Sequence, residues 1–206
     1  MSRKAKKHLK SHCSQLKSVI EEIGRLKGPP LMTGDVYFDL LRSIAFQQLH
    51  AAAATKIFER FLDLFEEGYP YPEQVLELER EDLRGVGFSN QKSSYIQNIA
   101  QFAMDEHLTK VKWNKMENEE IIKFLTQIKG VGEWTVQMVL MSSLEREDVF
   151  PVADYGIQQA IIRLFDLGDL KGAALKKKML LISKPWSPYR SLACRYLWNW
   201  HDVNKN

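Results

Sequence analysis

Apolar residues recur along this chain at intervals of three and four. Ile57, Phe58, Phe61, Leu62 and Phe65 form one such series, and Tyr95, Ile96, Ile99, Ala100 and Ala103 form another. Further series run through Leu41, Ile44, Ala45 and Gln48, through Ile121, Phe124, Leu125 and Ile128, and through Tyr189, Leu192, Ala193, Tyr196 and Leu197. The interval matches the turn of an α-helix, so each series draws one apolar stripe that needs a partner face to bury it. No convincing series alternates with period two, and the pattern predicts an all-α fold of roughly eight to eleven helices, most of them short.

Glycine and proline punctuate the joints: Gly28-Pro29-Pro30, Gly68-Tyr69-Pro70-Tyr71-Pro72, Gly85-Val86-Gly87, Gly130-Val131-Gly132 and Lys184-Pro185-Trp186-Ser187-Pro188. Glu117 and Asn118 both suit the cap of the helix through Ile121. Ser187-Pro188 reads as a cap with proline at the first helical position. No flexible linker marks a domain boundary, and the two Gly-Val-Gly turns hint at a repeated helix-turn-helix device.

With 206 residues, 45% hydrophobic and 27% charged, the chain has the usage of a soluble globular protein with a sizeable core. Its net charge of +3 favours a polyanionic partner only weakly. Basic residues cluster at Arg3, Lys4, Lys6, Lys7 and Lys10 and again at Lys176, Lys177 and Lys178, where a solubilising surface is the plain reading. Cys13 and Cys194 cannot build a disulfide framework or an iron-sulfur ligand set. The five histidines lack zinc spacing, although His8 and His12 stand four apart. Without an apolar run of about 18 residues or a signal-peptide pattern, neither membrane insertion nor classical secretion is expected. An intracellular setting follows as the expectation, either a bacterial cytoplasm or a eukaryotic nucleus.

The stretch Ile128-Lys129-Gly130-Val131-Gly132-Glu133-Trp134-Thr135 sets two glycines one residue apart between helical patterns. Glycine takes positive φ readily and leaves room for another backbone. Amides at the start of the second helix, aided by its dipole, can then receive a phosphate. By itself this is a tight interhelical turn. Downstream lies Val149-Phe150-Pro151-Val152-Ala153-Asp154-Tyr155-Gly156-Ile157, in which an aspartate before an aromatic residue is ordinarily a helix cap.

Hairpin and aspartate together, at this separation, closely resemble the helix-hairpin-helix DNA glycosylase superfamily and within it the alkylated-base (3-methyladenine) DNA glycosylases. The similarity extends to Ser43–Ala54 (SIAFQQLHAAAA), to Leu83-Arg84-Gly85-Val86-Gly87-Phe88-Ser89 with Lys92, and to Trp186-Ser187-Pro188-Tyr189-Arg190-Ser191, covering roughly residues 35 to 200. It implies two helical lobes flanking an active-site cleft that carries Asp154. A central lobe would span 45–145, and the second would join 1–44 with 146–206. The β-rich amino-terminal domain and the four-cysteine cluster of some relatives are not expected.

The resemblance makes Asp154 the catalytic residue, whose carboxylate would stabilise positive charge on deoxyribose and orient or deprotonate water. Trp134 and Trp198 match base-pocket positions, Met138 stands where some members carry an aromatic residue, and Tyr155 adds a further wall. A π-rich pocket suits a cationic alkylated purine, which is already a good leaving group. Trp134 also replaces the Schiff-base lysine of bifunctional relatives, which argues for a monofunctional enzyme. Ala153 stands where the family commonly has a second acid.

Gln48 is the candidate plug for the space left by the flipped nucleotide, and His50 the candidate minor-groove probe, with Gln47 anchoring backbone locally. DNA-backbone contacts are expected from Gly130, Val131, Gly132 and Thr135, with a smaller contact from Ser89 and Lys92. Arg190 matches a basic position but could equally pair with an acid inside the fold. No cofactor is required, although the resemblance implies that main-chain carbonyls of Gln127, Lys129 and Val131 can hold a structural Na+ or K+. The expected partner is double-stranded DNA containing damaged bases, bound by a monomer.

Three readings follow. One is a monofunctional glycosylase for alkylated purines, 3-methyladenine and 7-methylguanine among them, that leaves an abasic site. Another is a catalytically weak lesion-binding protein, and the last a glycosylase for deaminated or oxidised bases. Asp154 favours the first over the second, and Trp134 with its aromatic neighbours favours it over the third.

Overall fold

A computed structural model describes residues 3–26 and 33–204, and every regular element among them is helical. The described residues hold twelve α-helices and three single-turn 3₁₀ helices. That is one α-helix beyond the predicted range. The segments Pro72–Glu77 and Arg80–Gly85 are separate helices, each too short to show a periodic stripe. The predicted Gly28-Pro29-Pro30 joint lies outside the described residues. No described helix is long and apolar enough to cross a membrane.

Two compact units result, Met32–Leu144 and Met1–Leu31 with Glu145–Asn206. The first contains α3 (Val36–Phe46), α4 (Ala51–Leu62), α5 (Pro72–Glu77), α6 (Arg80–Gly85), α7 (Asn90–Asp105), α8 (Asn118–Leu125) and α9 (Glu133–Ser142). The second contains α1 (Arg3–His12), α2 (Ser14–Ile23), α10 (Tyr155–Phe165), α11 (Gly172–Ser183) and α12 (Arg190–Val203). The predicted lobe boundary at residue 45 would cut through α3. That helix belongs whole to the central unit, because it packs on α4, α7 and α9.

Helix α3 is the centre of its unit: Val36, Tyr37, Leu40, Leu41, Ile44 and Ala45 are all buried. Asp35 caps it by accepting the Phe38 amide at 3.1 Å. Buried Asp39 accepts the Ser143 hydroxyl at 2.6 Å, tying α3 to the end of α9. Burial raises the Asp39 carboxyl above its ordinary value, against the opposing pull of that hydroxyl. Phe58 and Phe61 of α4, with Phe65 just beyond its end, supply one apolar wall, and Ile96, Ile99, Ala100 and Ala103 of α7 the other. Glu117, not Asn118, caps α8, in a reciprocal capping box with Glu120.

In the other unit α12 packs against α10 and α2. Its stripe of Leu192, Ala193, Tyr196 and Leu197 is buried. The Trp200 indole donates to Glu22 at 3.0 Å and the Tyr196 hydroxyl to the Gly24 carbonyl at 3.2 Å. These bonds hold α2 against α12. The predicted Ser187-Pro188 cap is corrected: α12 starts at Arg190, the Ser187–Pro188 peptide is cis, and the Ser187 hydroxyl donates to Asp148 at 2.8 Å.

Candidate active site and DNA-contact segments

A tight turn delivers Asp154 to the start of α10. The Asp154 amide donates to the Pro151 carbonyl at 2.9 Å, and Gln158 Nε2 closes the turn on the Val152 carbonyl at 2.9 Å. Asp154 is the N-cap of α10, its Oδ1 accepting the Ile157 amide at 2.9 Å. The same oxygen accepts Trp198 Nε1 from α12 at 2.8 Å. Two donors on one oxygen fix the plane of the carboxylate, and Asp154 keeps only 8% of its surface exposed. A cap is therefore one of its roles, and the indole contact is one that capping does not need.

Gly156 permits that contact. A Cβ there would meet Trp198 Cδ1 at 3.1 Å and Asp154 Oδ1 at 3.4 Å. Tyr155, by contrast, is 71% exposed and makes an edge contact with His201, the ring centres 6.5 Å apart.

The segment before this turn is anchored by the first turn of α12. Arg190 donates through Nε and one terminal nitrogen to both oxygens of Asp148, at 2.6 and 2.9 Å. Burial alone would raise the Asp148 carboxyl, but the hydrogen bonds from Arg190 and Ser187 outweigh it and hold the group below its ordinary value. The Ser191 hydroxyl donates to the Arg146 carbonyl at 2.6 Å and accepts the Val149 amide at 2.9 Å. Arg190 thus pairs with an acid inside its own unit. Burial, with the Asp154 charge adding to it, pushes the Cys194 thiol well up, so this cysteine is an inert core residue.

In the central unit the hairpin between α8 and α9 closes with the Val131 amide donating to the Ile128 carbonyl at 3.0 Å. Gly130 has φ +103, and a Cβ there would fall 2.2 Å from the Tyr95 ring, so the fold itself demands glycine. Gly132 is different. It is the extended N-cap of α9, with no side-chain cap bond and nothing within 4 Å of a Cβ built on it. Val131 turns its side chain into the core, leaving only its main chain for the turn surface. Trp134 and Met138, four apart and half-buried, share one face of α9.

Two predicted backbone contacts are corrected. Thr135 is 2% exposed, and its hydroxyl accepts Gln47 Nε2 at 3.3 Å, because the close packing of α9 on α3 covers that side of the helix. Lys92 points its ammonium inward, donating to the Ala45 and Gln47 carbonyls at 2.8 Å each. Ser89 is exposed and caps α7, accepting the Lys92 amide at 3.2 Å.

Gln48 does not continue the apolar stripe of α3. The helix ends at Phe46, Gln48 adopts the left-handed region at φ +58, and Gln48, Leu49 and His50 all face solvent. His50 stands at the N-cap of α4, but it caps with its carbonyl and not its ring. Leu49, 42% exposed between the two predicted DNA-contact residues, escaped the sequence reading. So did Gly156, where an added Cβ would crowd Trp198, far along the chain.

Among the described residues no group of His, Cys, Asp and Glu side chains could hold a metal ion. Main-chain carbonyls at Gln127, Lys129 and Val131 have the hard-oxygen chemistry that alkali cations take. The Lys129 carbonyl also accepts Asn98 Nδ2 at 3.0 Å, which uses one of its two lone pairs.

Residues 41–188 match the HhH-GPD superfamily of base excision DNA repair proteins, and the chain belongs to that family. Within it, the chain falls in the alkylpurine DNA glycosylase branch. It is 38% identical over 200 residues to a putative DNA-3-methyladenine glycosylase of Bacillus subtilis, covering 93% of this chain and 68% of that protein. It is 35% identical over 198 residues to DNA-3-methyladenine glycosylase 1 of Schizosaccharomyces pombe, covering 95% and 86%. The solved structure of the Schizosaccharomyces pombe 3-methyladenine DNA glycosylase in complex with abasic-DNA superposes with a TM-score of 0.84 at 36% identity, over 95% of each chain.

Proposed function

We propose that this protein is a monofunctional DNA glycosylase that flips alkylated purines out of duplex DNA and hydrolyses their N-glycosidic bond. The observation that carries this reading is the Asp154 carboxylate, nearly buried yet held on one oxygen by both the Ile157 amide and the Trp198 indole. The substrate class rests on the printed names of the relatives, which are DNA-3-methyladenine glycosylases.

Cleavage breaks the bond between C1′ and the base nitrogen, and its electron pair leaves with the base. A base already cationic by alkylation departs neutral and needs no general acid. Positive charge passes to the deoxyribose, where the Asp154 carboxylate stabilises it. Water then adds to C1′ and gives up a proton, leaving free base and an abasic site. Tyr155 and Trp198, in the same unit as Asp154, contact the base; Trp134 and Met138 of the central unit keep the base-contact role that the family resemblance implies, and Gln48 and His50 work at the opened base step. Gly130, Val131 and Gly132 present main chain to the strand. The main-chain carbonyls of Gln127, Lys129 and Val131 would hold an alkali cation, which would supply positive charge to the hairpin. Trp134 at the lyase-lysine position leaves no amine there to form a Schiff base.

Purified wild type and Asp154→Asn would be incubated with duplexes carrying 3-methyladenine, 7-methylguanine, 1,N6-ethenoadenine, hypoxanthine or 8-oxoguanine. Released base and strand nicking would be measured separately. Wild type should release the alkylated purines without nicking, and the variant should lose about a hundredfold or more in excision rate while still binding lesion duplex. Equal excision by the two proteins would overturn the catalytic assignment. Lesion binding without release by wild type would make the protein a binder.

A further inference from the structure

We infer that Lys92 is a positioning residue: its ammonium, bonded to the Ala45 and Gln47 carbonyls, locks the end of α3 and so sets where residues 48–50 stand. The last carbonyls of a helix have no partner within it. Here two at the end of α3 are met at 2.8 Å by one ammonium, whose positive charge also suits the negative end of the helix dipole. Drawing an ammonium out of water is costly, and burial does lower the Lys92 pKa. A lysine held in this way is set for a geometric purpose.

That purpose is the conformation of the next residue. Gln48 sits at φ +58, a region that costs a non-glycine residue on the order of 1 kcal/mol and persists only where its surroundings impose it. Its neighbour Gln47 is held on both sides, by Lys92 on its carbonyl and by Thr135 on its side chain. Beyond this clamp the chain reverses, and Gln48, Leu49 and His50 emerge into solvent.

Lys92, Tyr95 and Asn98 follow one another at three-residue steps along α7, each step turning about 60° around the helix. Tyr95 packs its ring where a Cβ of Gly130 would stand, and Asn98 holds the Lys129 carbonyl at 3.0 Å. One rigid helix therefore grips the hairpin with two of these side chains and the end of α3, just before 48–50, with the third. The spacing between the two exposed segments is set along α7. The inference rests on the proposed reading of 48–50 as the part that enters the duplex, and it supplants the expectation that Lys92 touches phosphate.

Lys92→Met, Lys92→Gln and Lys92→Arg would be compared with wild type and Gln48→Ala by hydrogen exchange, salt-dependent binding to undamaged duplex, and single-turnover excision of 7-methylguanine. In Lys92→Met, amides of 47–51 should exchange about tenfold or more faster while the middle of α7 stays protected. Excision should fall by about tenfold to a hundredfold, with no further loss when Gln48→Ala is already present. Lys92→Arg should restore most of both. Lys92→Gln, which removes the ammonium and shortens the side chain, serves the same tests if the methionine variant does not fold. The slope of log affinity against log salt should stay as in wild type. A slope smaller by about 0.9 would make Lys92 a phosphate contact and overturn the proposal. Unchanged exchange at 47–51 would overturn it as well. If Gln48→Ala alone excises like wild type, the plug role fails, and the clamp then stands or falls on the exchange result.

Discussion

The tripeptide Gly-Val-Gly occurs twice in the central unit, at 85–87 and at 130–132, and the two copies are built differently. In the first, positive φ falls on the second glycine, Gly87 at +111; in the second it falls on the first glycine, Gly130 at +103. After the first turn Ser89 caps α7 with its hydroxyl, so that helix start is satisfied by the chain's own side chain. After the second, Gly132 is itself the N-cap of α9 and offers no side chain. One turn is a closed interhelical joint. The other leaves a helix start whose approach is unobstructed by any Cβ, which is the form an anion-receiving end takes.

The largest effect separating the two should come from Gly130→Ala. The added methyl would collide with the Tyr95 ring and sit in a disfavoured backbone region, at a cost of roughly 3 kcal/mol. Thermal denaturation should register a fall of about 6 to 12 °C. A variant as stable as wild type would break the claim that packing against α7 dictates this glycine.

Gly132→Ala should behave in the opposite way. With φ −94 and open space around the new methyl, its stability should stay within about 0.5 kcal/mol of wild type. Duplex affinity, followed by fluorescence anisotropy, should nonetheless drop by about tenfold, roughly 1.4 kcal/mol. Unaltered affinity would reduce the second turn to a joint like the first.

Ser89→Ala gives the smallest change and the mirror image: about 1 kcal/mol of stability lost with the cap, and little change in duplex affinity. Should it weaken DNA binding more than Gly132→Ala does, the two turns have been assigned the wrong way round.

Particular residues mark how far the sequence could be read. The stripes of α4, α7, α8 and α12 are legible because a helix repeats its buried face every turn, and that repeat is local. Asp154 is legible as a cap by the same local logic. Gln48 is where that logic breaks: its spacing continues the α3 stripe, yet the helix stops two residues earlier, at Phe46. Thr135 and Lys92, expected as DNA-backbone contacts, turn into the fold for a related reason. Each finds its partner on Gln47 or the end of α3, and no periodicity within α7 or α9 announces a neighbour on another helix.

By itself the sequence determined that the chain is helical, where its joints lie, which of them carries paired glycines, and that an acid follows at a telling distance. Those properties depend on spacing and backbone preference within a few residues. Only the tertiary structure decided that Trp198 donates to Asp154, that a side chain at Gly156 would crowd Trp198, that Gly130 but not Gly132 is required by packing, and that Lys92 faces inward. Each of these is a contact between residues far apart in the chain, and such contacts exist only after helices have packed.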